Sequence, residues 1–221
     1  MVDYDALARE NKYRPGHPAR HSSSEIFEFF QPRGRLLDLG LGSGDHSAYF
    51  LARGLDVVAV DISAVQLRKS DFIKVVLGDV QYLPFKGGSF DSVLCSEILE
   101  HLPHPGRCVQ EIHRILREDG TAVFTTPCLN IPLKGLIPLY RKLAKVDLRK
   151  DEHLGVYSAE ELMAELRELF KIVDVMYKDF TVILKRRWST GYRIDSLLSN
   201  IARKIPLFKY FAASVFLKVV K

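Results

Sequence analysis

Three glycines at alternate positions, Gly40, Gly42 and Gly44, follow directly on the apolar run Leu36-Leu37-Asp38-Leu39. Main chain without side chains can approach a flat polar group closely, and glycine tolerates the positive φ that a sharp strand-to-helix turn needs. Such a segment makes the floor of a nucleoside site. Asp38, at the strand end, is expected to fix the turn by accepting loop N–H groups. The run Asp56-Val57-Val58-Ala59-Val60 then ends in Asp61. It lies about 20 residues past the first glycine, where dinucleotide-type folds bind a ribose hydroxyl with a carboxylate. Asp61 also stands just before Ser63, so it equally suits a helix start. A further carboxylate, Asp79 in Gly78-Asp79-Val80, is placed to accept from an exocyclic amine in the same crevice, or to form an Asx-type turn.

Parallel strands with helices between them must hold these residues. Residues 35–39, 56–61 and 73–77 read as three short buried strands, and a helix opens at Gly44 with Ala48, Phe50, Leu51 and Ala52. Residues 90–95 read as a fourth strand, 105–116 as a helix with Val109, Ile112, Ile115 and Leu116 on one face, and 121–126 as a fifth strand that Pro127 ends. Ser22 with Glu25 and Ser158 with Glu161 are capping boxes, opening helices through Phe30 and to about Leu169. A sixth strand is expected over 171–177, and the alternation of 214–220 predicts an antiparallel strand, with 181–185 as the competing choice. The fold class is therefore α/β: a doubly wound, mostly parallel seven-stranded sheet with an antiparallel last strand and a helical substrate cover.

Taken in order, Asp38-Leu-Gly40-Leu-Gly42-Ser-Gly44, Asp61, Gly78-Asp79-Val80, Phe90-Asp91-Ser92-Val93 and Glu97-Ile-Leu-Glu100-His101-Leu102 resemble the class I S-adenosylmethionine-dependent methyltransferases. The resemblance covers roughly residues 35–127 and is greatest to the small-molecule branch that includes quinone-biosynthesis methyltransferases. It implies a Rossmann-like methyltransferase fold with S-adenosyl-L-methionine as cofactor. Gly40, Gly42 and Gly44 would approach its methionine part, Asp61 the ribose and Asp79 the adenine amino group, with Asp38, Ile62 and Val80 as further cofactor-binding positions. Ser96 and Glu97 would line the pocket at the end of strand four. Leu41 departs from the family, which often has a small residue or cysteine there, and implies a wider or differently packed loop.

A nicotinamide dehydrogenase uses the same fold, but its fingerprint fails here. Asp45 stands where the last glycine of G-x-G-x-x-G belongs, and the Tyr82 to Lys86 spacing contains Pro84, which a helix interior does not accept. Lysine and arginine clusters attract nucleic acid, yet no arginine-rich run is interleaved with aromatics, so nucleic acid, including tRNA, is the lesser alternative. A non-catalytic cofactor-binding partner protein is the other.

The chain has 221 residues, 47% of them hydrophobic, which suits one core and a single methyltransferase domain over 1–221. Cys95, Cys108 and Cys128 are odd in number and without paired metal spacing, so reduced core thiols, a cytoplasmic location and metal independence are expected. No N-terminal signal segment and no membrane-spanning apolar run appears. Specificity should come from cover segments at 1–21, 128–157 and 178–212. Their apolar residues lie beside lysine and arginine clusters, and the net charge is +5. That pattern fits a small-molecule or lipid-like acceptor and peripheral contact with a membrane surface, or an ordinary solvated basic face.

Methyl transfer from a sulfonium is mostly alignment and exclusion of water. An oxygen or acidic carbon acceptor also needs a proton removed. His101, just after strand four, is the expected catalytic base, or else a loop hydrogen-bonding residue. His17 and His21 could reach in from the N-terminal cover, and His153 and Tyr157 are weaker candidates.

Overall fold

The computed structural model describes residues 21–68, 74–128, 158–178, 201, 204 and 214–221. In chain order the elements are α1 (Ser23–Phe30), β1 (Arg35–Leu39), α2 (Asp45–Leu51), β2 (Asp56–Asp61), α3 (Ala64–Leu67), β3 (Lys74–Leu77) and β4 (Phe90–Ser96). A 3-10 turn at Leu99–His101 follows, then α4 (Pro105–Ile115), β5 (Leu116–Pro127), α5 (Ala159–Arg167), β6 (Lys171–Lys178) and β7 (Ser214–Val220).

Local chemistry explains where the helices start. At α1 the Ser22 hydroxyl accepts from Glu25 N while the Glu25 carboxylate accepts from Ser22 N, and α5 repeats this box with Ser158 and Glu161. Ser63 caps α3 through Gln66 N. Pro105 opens α4, where its missing N–H costs nothing, and Val109, Ile112 and Ile115 fall on its buried side.

The sheet runs in the order β3-β2-β1-β4-β5-β7-β6. All neighbours among β1 to β5 are parallel, and β7 lies antiparallel between β5 and β6. Alternate side chains of each strand face opposite layers. Leu37, Leu39, Val58 and Val60 pack toward α4 and α5. Leu36, Val57 and Ala59 pack toward Ile26, Phe29 and Phe30 of α1 and Phe50 of α2. Each fully buried phenylalanine contributes roughly 1.5–3 kcal/mol from burial. The sheet is therefore doubly wound, as the alternation of elements predicts.

The chain leaves β1 toward β2 and β3, then returns to the other side of β1 as β4. That reversal opens a crevice at the carboxyl ends of β1 and β4, the usual ligand position in such sheets.

Two expectations need correction. The third strand is not buried: Val75 is 37% and Leu77 59% exposed. It forms the sheet edge, and its neighbour α3 has only four residues, too few to cover it. The fifth strand begins at Leu116 rather than 121, because Leu116 pairs with Phe90 before a register shift in which Asp119 adopts a φ of 61°.

The cover segments and the competing strand at 181–185 lie outside the described residues, apart from His21, Cys128, Lys178 and positions 201 and 204. His17, His153 and Tyr157 lie outside them as well. Among the described residues no helix is long and apolar enough to cross a membrane. The three cysteines are free and buried. A hydrogen bond with Cys108, together with burial, pushes the Cys95 thiol well up.

Candidate functional site

The glycine turn is built by main-chain hydrogen bonds. Gly40 N donates to Val60 O at 2.8 Å, and Gly44 N donates to Leu41 O at 2.8 Å. Gly40 and Gly44 have φ of 73° and 80°, a left-handed geometry that strains any residue with a side chain. Leu41 is buried in the cluster with Phe50 and the α1 phenylalanines, so it anchors the loop rather than widening it. Gln66 holds the far side, its Nε2 donating to Gly42 O at 2.8 Å.

The carboxylates divide their work. The Ser63 main-chain amide donates to Asp61 Oδ1 at 2.8 Å, and the amides of Gly42, Leu41 and Ile62 lie near enough to favour its charged form. Burial nevertheless pushes the Asp61 carboxyl up, because losing water outweighs these bonds. Asp38 does not hold the loop amides as expected. Its Oδ2 accepts from the Ser47 hydroxyl of α2 at 2.6 Å. It faces the α1–α2 layer at 2% exposure, and burial first, then the nearby Asp61 charge, push it up to about 7 against the bond from Ser47. The reason is the strand alternation, which turns Asp38 to the same side as Leu36.

Asp79 follows β3 and forms an Asx turn, its Oδ1 accepting from Gln81 N at 2.8 Å. The Gln81 amide also donates to both Asp79 oxygens, and its Oε1 accepts from His104 N at 3.2 Å, tying this turn to the start of α4. Val80 is buried beneath the turn, while Ile62 is 51% exposed at the end of β2.

At the end of β4 the Ser96 and Thr125 hydroxyls lie 2.8 Å apart, and Thr125 Oγ1 donates to Glu97 Oε1 at 3.2 Å. Glu97 has a φ of 54° and donates its N–H to Thr125 O at 2.9 Å. Its Oε1 is 3.6 Å from His21 Nε2. His46, on α2, shares its Nδ1 with the Ser23 hydroxyl at 2.8 Å, and burial with the neighbouring His21 pushes it down to about 4. His101 sits in the 3-10 turn with Nε2 4.0 Å from Glu100 Oε1, and buried Glu100 accepts from Thr126 at 3.1 Å.

The fold thus brings the glycines, Asp61, Ile62, Ser96 and Glu97 to the ends of adjoining strands, with Asp79 one strand further out. Ser47, Gln66, Gln81 and Thr125 support them without having been read from sequence. Only a polar residue on an otherwise apolar helix face or strand hinted at Ser47 and Thr125. Main-chain amides and carboxylate oxygens in this arrangement can take ribose hydroxyls, an amine and a positively charged group. Among the described residues no cluster of three or more histidine, cysteine, aspartate or glutamate side chains is placed to hold a metal ion.

Residues 37–124 match the family described as Methyltransferase domain. Demethylmenaquinone methyltransferase of Renibacterium salmoninarum is 35% identical over 144 residues, covering 60% of this chain and 60% of that protein. An uncharacterized protein of Methanocaldococcus jannaschii is 26% identical over 196 residues, covering 83% of this chain and 89% of its own. Four curated methyltransferase relatives at 30% identity or more are spanned over only 51% to 60% of their length. The solved structure of a SAM dependent methyltransferase from Archaeoglobus fulgidus superposes with a TM-score of 0.68 at 19% identity, covering 98% and 99% of the two chains. At that identity the likeness is one of fold.

Proposed function

We infer that this chain is an S-adenosylmethionine-dependent methyltransferase that transfers the methyl group to a small-molecule acceptor, a reading that the match of residues 37–124 to the methyltransferase domain supports. The observation that carries the reading is the bond from Gly40 N to Val60 O, which seats the glycine turn beside Asp61 and gathers a carboxylate and bare main chain at one strand edge. Similarity to a demethylmenaquinone methyltransferase supports a lipid-like acceptor.

The residues present fit the cofactor. The Asp61 oxygens are acceptors for a ribose diol, Asp79 is an acceptor for an amine, and the left-handed backbone at Gly40 disfavours a side chain there. When bound, S-adenosyl-L-methionine supplies an activated methyl group and a neutral thioether leaving group. The turn fixed by Val60, Gln66 and Asp61 then acts by holding one geometry, which is the main source of rate in such a transfer. His101, beside buried Glu100, is the base proposed for an acceptor that must lose a proton. The basic segments outside the described residues are proposed to meet an anionic membrane surface.

Calorimetry with S-adenosyl-L-methionine tests the reading directly. Saturable heat with a dissociation constant in the range of about 1 μM to 1 mM, typical of enzyme substrates, is expected. No heat and no thermal shift would overturn it. His101→Ala should lower turnover while leaving that affinity unchanged.

A further inference from the structure

Where β1, β2 and β4 end, the register sets polar residues side by side. Val60, Leu39 and Cys95 pair across the three strands, so Asp61, Gly40 and Ser96 are the next residues out, and Thr125 of β5 pairs with Ser96. Ala59, Leu94 and Val123 pack in the layer with Ile26, Phe29 and Phe30 of α1. Two residues further along each strand, Asp61, Ser96 and Thr125 face the same side. A pair of hydroxyls thus stands on the face, and at the edge, that carry Asp61.

The direction of hydrogen bonding in this pair is fixed. A hydroxyl has one proton to donate and two lone pairs to accept with. Thr125 is 1% exposed, and its Oγ1 donates to Glu97 Oε1 at 3.2 Å. A carboxylate only accepts, and its charge makes it a stronger acceptor than a neighbouring hydroxyl. The 2.8 Å bond between Ser96 Oγ and Thr125 Oγ1 is therefore donated by Ser96. This ordering follows from the single proton of Thr125, whatever else the Glu97 carboxylate meets. Glu97 is kept at this end of the chain of bonds by its own main chain, whose N–H donates to Thr125 O at 2.9 Å. Ser96, half-buried at the strand end, has its proton committed to Thr125 and offers a ligand lone pairs alone. Each bond in such a chain polarises the next, so Ser96 Oγ is a better acceptor than an isolated hydroxyl.

We propose that Ser96 Oγ accepts a hydrogen bond from the substrate atom that is to be methylated, so that the site takes acceptors with a hydroxyl or amine proton on that atom. This deepens the methyltransferase reading above and rests on it. An O–H or N–H held at Ser96 keeps a lone pair for the methyl carbon. An ether oxygen has no proton to offer and is left unheld. Ser96 is then the residue that touches the substrate, and Thr125 a positioning residue that sets which way the Ser96 hydroxyl turns.

The test uses the full chain saturated with S-adenosyl-L-homocysteine, titrated with phenol and with anisole, which share a ring and differ in the proton on oxygen. Binding is followed by the NMR shifts of the Ser96 and Thr125 amides. In the wild type phenol should bind about tenfold more tightly, the scale of one hydrogen bond. Ser96→Ala should abolish the preference. Thr125→Val keeps the shape but frees the Ser96 proton, which can then be donated to the ether oxygen, so most of the preference should be lost. Thr125→Ser, which restores the hydroxyl, should restore it. The comparison of the two ligands in the wild type stands whether or not a variant folds. Equal affinity for phenol and anisole in the wild type, binding of neither, or a preference that survives Ser96→Ala overturns the proposal while leaving cofactor binding intact. Failure of the wild type to bind S-adenosyl-L-homocysteine overturns the cofactor reading itself.

Discussion

Ile98 Cδ1 lies 2.2 Å from the point that a β-carbon on Gly40 would occupy. The glycine is required by its φ of 73°, and a β-carbon there would also oblige the end of the Ile98 side chain to move.

Gly40→Ala is therefore expected to destabilise the protein by about 1–3 kcal/mol from backbone strain, and by more through the clash. Adding Ile98→Ala should recover the clash but not the strain, so urea melts of the two single variants and the double variant will be non-additive. Additive losses would show that the two side chains do not share one space.

Asp61→Ala removes the acceptor of Ser63 N and the carboxylate beside the Leu41 and Gly42 amides as well as the proposed ribose contact. Affinity for S-adenosyl-L-methionine should fall by about 1.5–3 kcal/mol, the range for hydrogen bonds to a charged group. Asp61→Asn, which keeps one acceptor oxygen, should lose less. Titration calorimetry on the three proteins decides the order.

Much of this site was legible because its parts are local. Arg35–Leu39 and Asp56–Asp61 announce themselves as short apolar runs, and the Ser22 and Ser158 boxes close within four residues. The strand Ser214–Val220 was readable from alternation, and its antiparallel seat between β5 and β6 agrees. What failed depends on the third dimension. Val75-Val76-Leu77 is as apolar as a central strand, and nothing in the run says that no neighbour covers it. Asp38 lies in the glycine motif, but strand alternation hands it to Ser47. His21 and Glu97 are far apart in sequence and meet only because the start of α1 is folded over the end of β4.

The buried Asp38 carboxyl gives a pH dependence of defined sign. Its folded value, about 7, lies above the ordinary 3.8, so the folded state binds more protons than the unfolded state between these values. Its contribution to stability is full below about pH 4 and is lost as pH rises through 7. Asp38→Asn, which still accepts from Ser47, should flatten the fall in melting temperature between pH 5 and pH 8. An unchanged slope would assign the dependence to another group.

Lys178 and Glu25 form an ion pair largely out of water, joining β6 to α1. Glu25→Gln takes a counter-charge from the buried ammonium group and should cost up to about 3–5 kcal/mol. The double variant Glu25→Gln with Lys178→Met removes that charge and should regain part of the loss. Chemical denaturation of the pair of variants measures the difference.

The antiparallel strand at Ser214–Val220 is an interior strand, with Thr121 paired to Val220 across nearly a hundred intervening residues. On the ribosome, β1 to β5 can assemble while β6 has no bonded neighbour to join. The sheet is complete only after residue 220 has cleared the exit tunnel, so its β7–β6 side matures late and at the slow pace of long-range pairing. Synthesis of this interior strand, rather than of the glycine turn, sets the moment at which the seven-stranded sheet can close.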